Sequence, residues 1–169
     1  RYLYLENMNI GNSSQGNIEL AQGLRAQTNL KVLDLSDNEL GYSSNVNVHV
    51  LLRSLPFSLT SLDVSVNPIG SQDSFEVTEL SRAVKNMSGL IYFKAGGQNH
   101  YFNALGKSSD FLQALHHKQN LAFLDLSRNF FNDTTQMSNL LNTTLNLEIL
   151  NLSNNQLTNG SLLAPVLST

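Results

Sequence analysis

The chain of 169 residues has no cysteine and no tryptophan, only three prolines, and few aromatics, 8% in all. Without cysteine it holds no disulfide, no thiolate metal ligand and no thiol nucleophile. Small secreted domains often rely on disulfides, so their absence favours a reducing, intracellular (cytoplasmic) setting. Basic charge is also scarce. Ten Lys and Arg stand against thirteen Asp and Glu, a formal charge of −3, and the pI is near 5.7. Non-specific nucleic-acid binding and docking on anionic membranes need a basic surface, so neither partner is expected. No apolar run approaches the roughly 20 residues of a membrane span. The first residue is Arg1 rather than Met, and the last stretch, 161–167, has a helical pattern with no polar cap after it. A single domain cut from a longer protein is therefore the expectation.

What the chain does have is leucine and asparagine, 31 and 22 residues respectively. They are not scattered. NLKVLDLSDNELG from Asn29 aligns with SLTSLDVSVNPIG from Ser58, NLAFLDLSRNFFN from Asn120 and NLEILNLSNNQLT from Asn146. Each fits LxxLxLxxNxL, and weaker copies begin near Tyr2 and Leu90. The second apolar position falls on Leu3, Leu33, Leu62, Phe93, Leu124 and Leu150, at spacings of 30, 29, 31, 31 and 26. A period in this range is the mark of a solenoid, in which one repeat buries its apolar face only against its neighbours.

The pattern has a physical reading. In the LxL centre, alternate side chains point to opposite faces of a short strand, near residues 2–5, 32–35, 61–64, 92–95, 123–126 and 149–152. The asparagine that follows closes the turn, and its amide can serve backbone groups of the neighbouring coil. The ladder column reads Asn38, Asn67, Gln98, Asn129 and Asn155, with Gln98 carrying the amide in the irregular fourth copy. Apolar residues at three- and four-residue spacing after each turn, such as Val48, Leu51, Leu52 and Leu55, or Val77, Leu80, Val84 and Met87, predict return helices. The 26-residue spacing before Leu150 leaves room for only a short helix, near 135–142.

Repeats of this length and motif resemble the ribonuclease-inhibitor type of leucine-rich repeat. The uneven lengths, the Asn/Ser-rich character and the missing cysteines are also similar to leucine-rich-repeat effectors of intracellular bacteria, which are delivered into a host cell. The first resemblance implies an α/β solenoid, a curved arc with parallel strands on the concave face and helices on the convex face. It also implies a protein partner, with inhibition or modulation of that partner as one outcome.

In such an arc the outward strand residues form columns. One reads Tyr2, Val32, Ser61, Tyr92, Phe123 and Ile149, and the next reads Tyr4, Asp34, Asp63, Lys94, Asp125 and Asn151. An aromatic column beside an acidic one, both facing solvent, is the surface expected to bind a protein with a basic patch. Tyr2, Tyr4, Asp34, Asp63, Tyr92, Lys94, Phe123, Asp125 and Ile149 are the candidate contacts. The bland alternative for the Asp column is a tolerated feature of the repeat. The fourth copy departs from the others, with Lys94 for Asp and Gly96-Gly97 after it, and marks either a tailored lateral loop (96–106) or a degenerate repeat.

Nothing points to catalysis, a metal or a cofactor. Gly106-Lys107-Ser108 lacks the earlier glycine of a phosphate-binding loop. His116 and His117 are adjacent, so their side chains diverge on a helix, and His49 and His100 stand alone. Six glycosylation sequons, at Asn12, Asn86, Asn132, Asn142, Asn151 and Asn159, follow from composition alone unless the protein is secreted. Two further roles remain open: substrate-recognition repeats of a larger enzyme such as a ubiquitin ligase, or a cytoskeletal or sensor scaffold.

Overall fold

Six three-residue strands stand side by side in one parallel sheet, in the order of the sequence. They are β1 (Tyr2–Tyr4), β2 (Val32–Asp34), β3 (Ser61–Asp63), β4 (Tyr92–Lys94), β5 (Phe123–Asp125) and β6 (Ile149–Asn151). The computed structural model describes residues 1–42, 47–98, 103–158 and 160. The predicted helix at 161–167 lies outside them. In register, Leu3, Leu33, Leu62, Phe93, Leu124 and Leu150 are successive partners across all six strands. Leu33, Leu62, Phe93 and Leu124 are fully buried, as are Leu35, Val64, Ala95 and Leu126 two residues on. The apolar residues of each LxL therefore point into one continuous core.

Each strand is followed by a turn and a return helix: α1 (Ser14–Arg25), α2 (Val48–Arg53), α3 (Ser74–Asn86), α4 (Ser109–Leu115) and α5 (Thr134–Leu141). The Ser13 hydroxyl accepts from the Gly16 N–H, and the Asp73 and Asp133 carboxylates accept from Phe75 and Gln136. These caps satisfy N–H groups the helices leave open. The periodic apolar set of α2 runs on to Leu55, yet the helix stops at Arg53. Pro56, two residues beyond the C-cap Ser54, cannot continue it. At the far end of α3, the buried Lys118 donates from Nζ to the carbonyls of Lys85 and Met87, at 2.9 and 3.0 Å. A cation there meets the negative end of the helix and satisfies its last carbonyls.

The coils are locked by asparagines. Asn67 lies at zero exposure. Its Oδ1 accepts from the N–H groups of Asn38 and Leu40, both at 3.0 Å. Its Nδ2 donates to the carbonyls of Leu35, Val64 and Ser65. Asn38 does the same for Met8, Ile10 and Leu5, and Asn155 for Asn129 and Phe131. Every one of these amides reaches back to the coil before its own.

The fourth coil corrects the sequence reading. Gln98 is exposed and holds no place in the ladder. Asn103 fills it: fully buried, it accepts from the Ile69 N–H at 3.0 Å and donates to the Ala95 carbonyl at 2.7 Å. Asn103 comes ten positions after Phe93, whereas the other ladder asparagines come five after Leu33, Leu62, Leu124 and Leu150. Five extra residues thus enter between strand and ladder. The cost is visible next door, where the buried Oδ1 of Asn129 has no partner among the described residues.

The glycine that follows the ladder by three has a packing role. The Gly106 N–H donates to the Asn129 carbonyl at 2.8 Å. A Cβ on Gly106 would come within 2.4 Å of the Phe131 nitrogen and 2.5 Å of the Asn129 oxygen. Backbone cannot yield as a flexible side chain can, so Gly106→Ala is expected to cost about 2 kcal/mol or more in urea unfolding. Gly23→Ala, whose added Cβ meets nothing within 4 Å, serves as the control. On an exposed helix face that change is expected to be neutral or stabilising.

Candidate partner-binding face

The middle residue of each strand points inward, so its two flanking residues emerge together on the opposite, concave face. Along the first flanking column Tyr2 is 71% exposed and Ile149 54%, while Tyr92 and Phe123 are half-buried. They bury each other. Their rings stack at 4.2 Å between centroids and 11° between planes. The separation is close to the strand spacing of about 4.8 Å, as expected for neighbours on β4 and β5. Tyr4, 66% exposed, heads the second column.

The aspartates of that second column have a task of their own. Oδ1 of Asp34, Asp63 and Asp125 accepts from the N–H two residues on, in Ser36, Ser65 and Ser127, at 2.8–2.9 Å. Asn151 does the same for Ser153 at 3.1 Å. The side chain thus closes the strand end, a short polar group bonding its own backbone. That explains why Asp recurs, and it leaves each carboxylate at the surface with its charge. Asp125 also receives the Asn151 amide on Oδ2 at 3.1 Å.

Lys94 cannot close a turn in this way. Its Nζ instead lies 3.3 Å from Oδ2 of Asp63 on the neighbouring strand. Burial opposes the Lys94 charge, but Asp63, Tyr92 and Asp125 together hold its ammonium above the usual lysine value. Tyr92 titrates above the usual phenol range, through burial first and then through the charge of Asp63. Asp125 and Asp34 add to that effect. The aromatic pair therefore sits inside a negative field. Among the described residues no three His, Asp or Glu side chains come together as a metal site.

The comparisons with known proteins agree with one another. Residues 26–43 and 146–167 each match a family model described as a leucine-rich repeat. A solved structure, the leucine-rich repeat-containing protein LegL7 from Legionella pneumophila, is 26% identical to the chain and superposes with a TM-score of 0.57. The match takes in 98% of this chain. The chain carries leucine-rich repeats and has the fold of a leucine-rich-repeat solenoid. It spans about half of LegL7, 52% of that chain. Among curated proteins none matches. Repeats of this kind serve in general as surfaces for other proteins.

Two features of this leucine-rich-repeat chain escaped the sequence reading. Asn103 had a signal: Asn103-Ala104-Leu105-Gly106 repeats the Asn-x-Leu/Ile-Gly of Asn38–Gly41 and Asn67–Gly70. The insert hid it by breaking the count from the strand. The second is an apolar lip on the edge where the chain enters the strands. Ile91 and Leu145 are exposed there and, with Ala122, Leu147 and Glu148, line a shallow hollow of about 510 Å³. Such residues precede the strand or lie in the loop before it, where no alternation fixes which way they face. Of the lateral loop at 96–106, residues 99–102, including His100, lie outside the described residues.

Proposed function

We propose that the chain binds another protein on its concave face. The observation that carries this reading is the Tyr92–Phe123 stack, a half-exposed aromatic pair at the middle of the sheet with carboxylates around it. Aromatic anchors ringed by polar groups are the usual centres of binding energy in interfaces, and surface charge steers the encounter. Tyr2, Tyr4 and Ile149 extend the apolar surface towards the outer strands, and Asp34, Asp63, Lys94 and Asp125 supply the polar rim. Inhibition by covering a partner's working surface is the simplest consequence. The likeness to a Legionella pneumophila protein supports a bacterial effector as the setting.

The test is affinity capture with a triple variant, Asp34→Lys, Tyr92→Ala and Phe123→Ala, beside a convex-face control, Glu19→Lys. Circular dichroism checks that both remain folded. A partner retained by wild type and control is expected to be lost by the triple variant, since anchor truncation costs about 2 kcal/mol or more per residue. Retention by the triple variant would move binding to the lateral lip at Ile91 and Leu145 or to the helices.

A further inference from the structure

We infer that the concave face holds a slot for a guanidinium, and that its partner presents an arginine there from a basic segment. This rests on the concave-face reading above and names the chemistry it selects. Phe123 covers one face of the Tyr92 ring. Because the rings are nearly parallel and one strand apart, the other face of Tyr92 turns towards β3. There the register places Ser61 next to Tyr92, and Val32 beyond it. Ser61 is the smallest residue of its column, so it forms a floor between two walls. Tyr92 and Val32 stand two strand spacings apart, about 9.6 Å. A planar group stacked roughly 3.5 Å from the Tyr92 ring leaves about 6 Å to the Val32 strand, room for the Val32 side chain to close the other side. The slot matches a guanidinium, which stacks flat on aromatic rings where an ammonium does not.

The charge alongside is complementary. The same register sets Asp34, Asp63 and Lys94 abreast, two positions further along the strands and on the same face. Asp34 spends Oδ1 on both the N–H and the hydroxyl of Ser36. Asp63 spends Oδ1 on Ser65, and its Oδ2 meets Lys94. Asp34, Asp63 and Asp125 against Lys94 leave a local charge of −2. Lys94 already shows what this place accepts, since the chain's own cation has settled against Asp63. An incoming arginine would share the Asp63 carboxylate with Lys94 and take the remaining oxygen, Oδ2, of Asp34. Burial is the main cause of the raised Tyr92 phenol, and Asp63, Asp125 and Asp34 add to it against Lys94.

The probe is a nine-residue glycine-serine peptide with one central arginine, titrated against the 15N-labelled protein. Two matched peptides carry citrulline, which keeps the shape without the charge, or lysine. The expected result is saturable shifts at the amides of Ser61, Asp63 and Tyr92. Citrulline is expected to bind at least about tenfold more weakly, and lysine to fall between. Ser61→Leu, which fills the floor without touching the anchors, is expected to abolish the shifts. Lys94→Ala, which frees Asp63, is expected to tighten the arginine peptide by roughly threefold, the scale of a surface ion pair. Equal binding of citrulline, or shifts that map elsewhere, would overturn the slot. If the triple variant still loses its captured partner in that case, the concave face stands and only the arginine falls. If the triple variant keeps the partner, the face itself is wrong.

Discussion

Asn67→Ala is expected to lower the unfolding free energy by about 4 kcal/mol, the largest effect of any single polar truncation in the chain. The asparagine is at zero exposure and makes five hydrogen bonds. Removing it strands the N–H groups of Asn38 and Leu40 and reduces the bonding of the Leu35 and Val64 carbonyls. The Ser65 carbonyl keeps the Asp37 N–H at 3.0 Å. Each buried group left without a partner costs about 1–3 kcal/mol, and partial water entry trims the sum. Urea denaturation measures it. Two companion variants separate the ladder from mere composition. Asn103→Ala, with two bonds to lose, is expected to cost about 2 kcal/mol, while Gln98→Ala stays within about 0.5 kcal/mol. A larger loss at Gln98 than at Asn103 would overturn the placement of the ladder in the fourth coil.

The second large effect concerns pH. Glu76 lies in the first turn of α3, only 3% exposed. Its Oε2 accepts from the Gly70 N–H at 2.8 Å and fills the hollow beside Gly41, where a Cβ would meet that oxygen at 2.6 Å. Burial pushes its carboxyl up to about 7, with the Gly70 N–H opposing and the Asp73 charge adding. In the unfolded chain the same group titrates near 4.3. The folded protein therefore binds the extra proton between these values, and stability falls as pH rises through them. Below about 4.5 the group costs nothing; above about 7 the full cost is present. The interval corresponds to at most about 4 kcal/mol. Glu76→Gln keeps an oxygen for Gly70 and has no charge. It is expected to match wild type near pH 4 and to exceed it by about 2 kcal/mol or more at pH 8. A constant difference between the two proteins across pH 5–8 would sink this account.

The two glutamates of α3 show how far sequence reading reaches. Both Glu76 and Glu79 are buried, but Glu79 is held below the usual range by its hydrogen bond to Arg53 at 2.7 Å, against the effect of burial. The partner comes from the preceding helix, and no spacing within α3 announces it. What the sequence did make legible was everything governed by a local period. The LxL centres carry alternation in three residues, and they set the strands and their register in advance. The helices followed from three- and four-residue spacing. The insert before Asn103 defeated a reading that counted from the strand, because insertion in a turn changes the count without changing the residue type the turn needs. The aspartates on the concave face are legible as a column, but their bonds to the N–H two residues on depend on how each strand ends, which the letters do not show. Tyr92 and Phe123 were legible as exposed aromatics. Their stacking depends on rotamers, which no column of letters contains.

The asparagine ladder also gives the solenoid a direction. Each amide serves the turn before its own and none serves the turn after, so dependence runs one way along the stack. Peel the chain from β1, and every turn still folded keeps the side chain that satisfies it. Peel it from β6, and each departing coil takes with it the donors and acceptors of the coil left behind. Unravelling from the two ends is therefore unequal. Fraying from the β6 side is expected to unsatisfy more buried backbone groups than fraying from the β1 side, so in this respect the stack resembles a zip with one pull more than a row of equal coins.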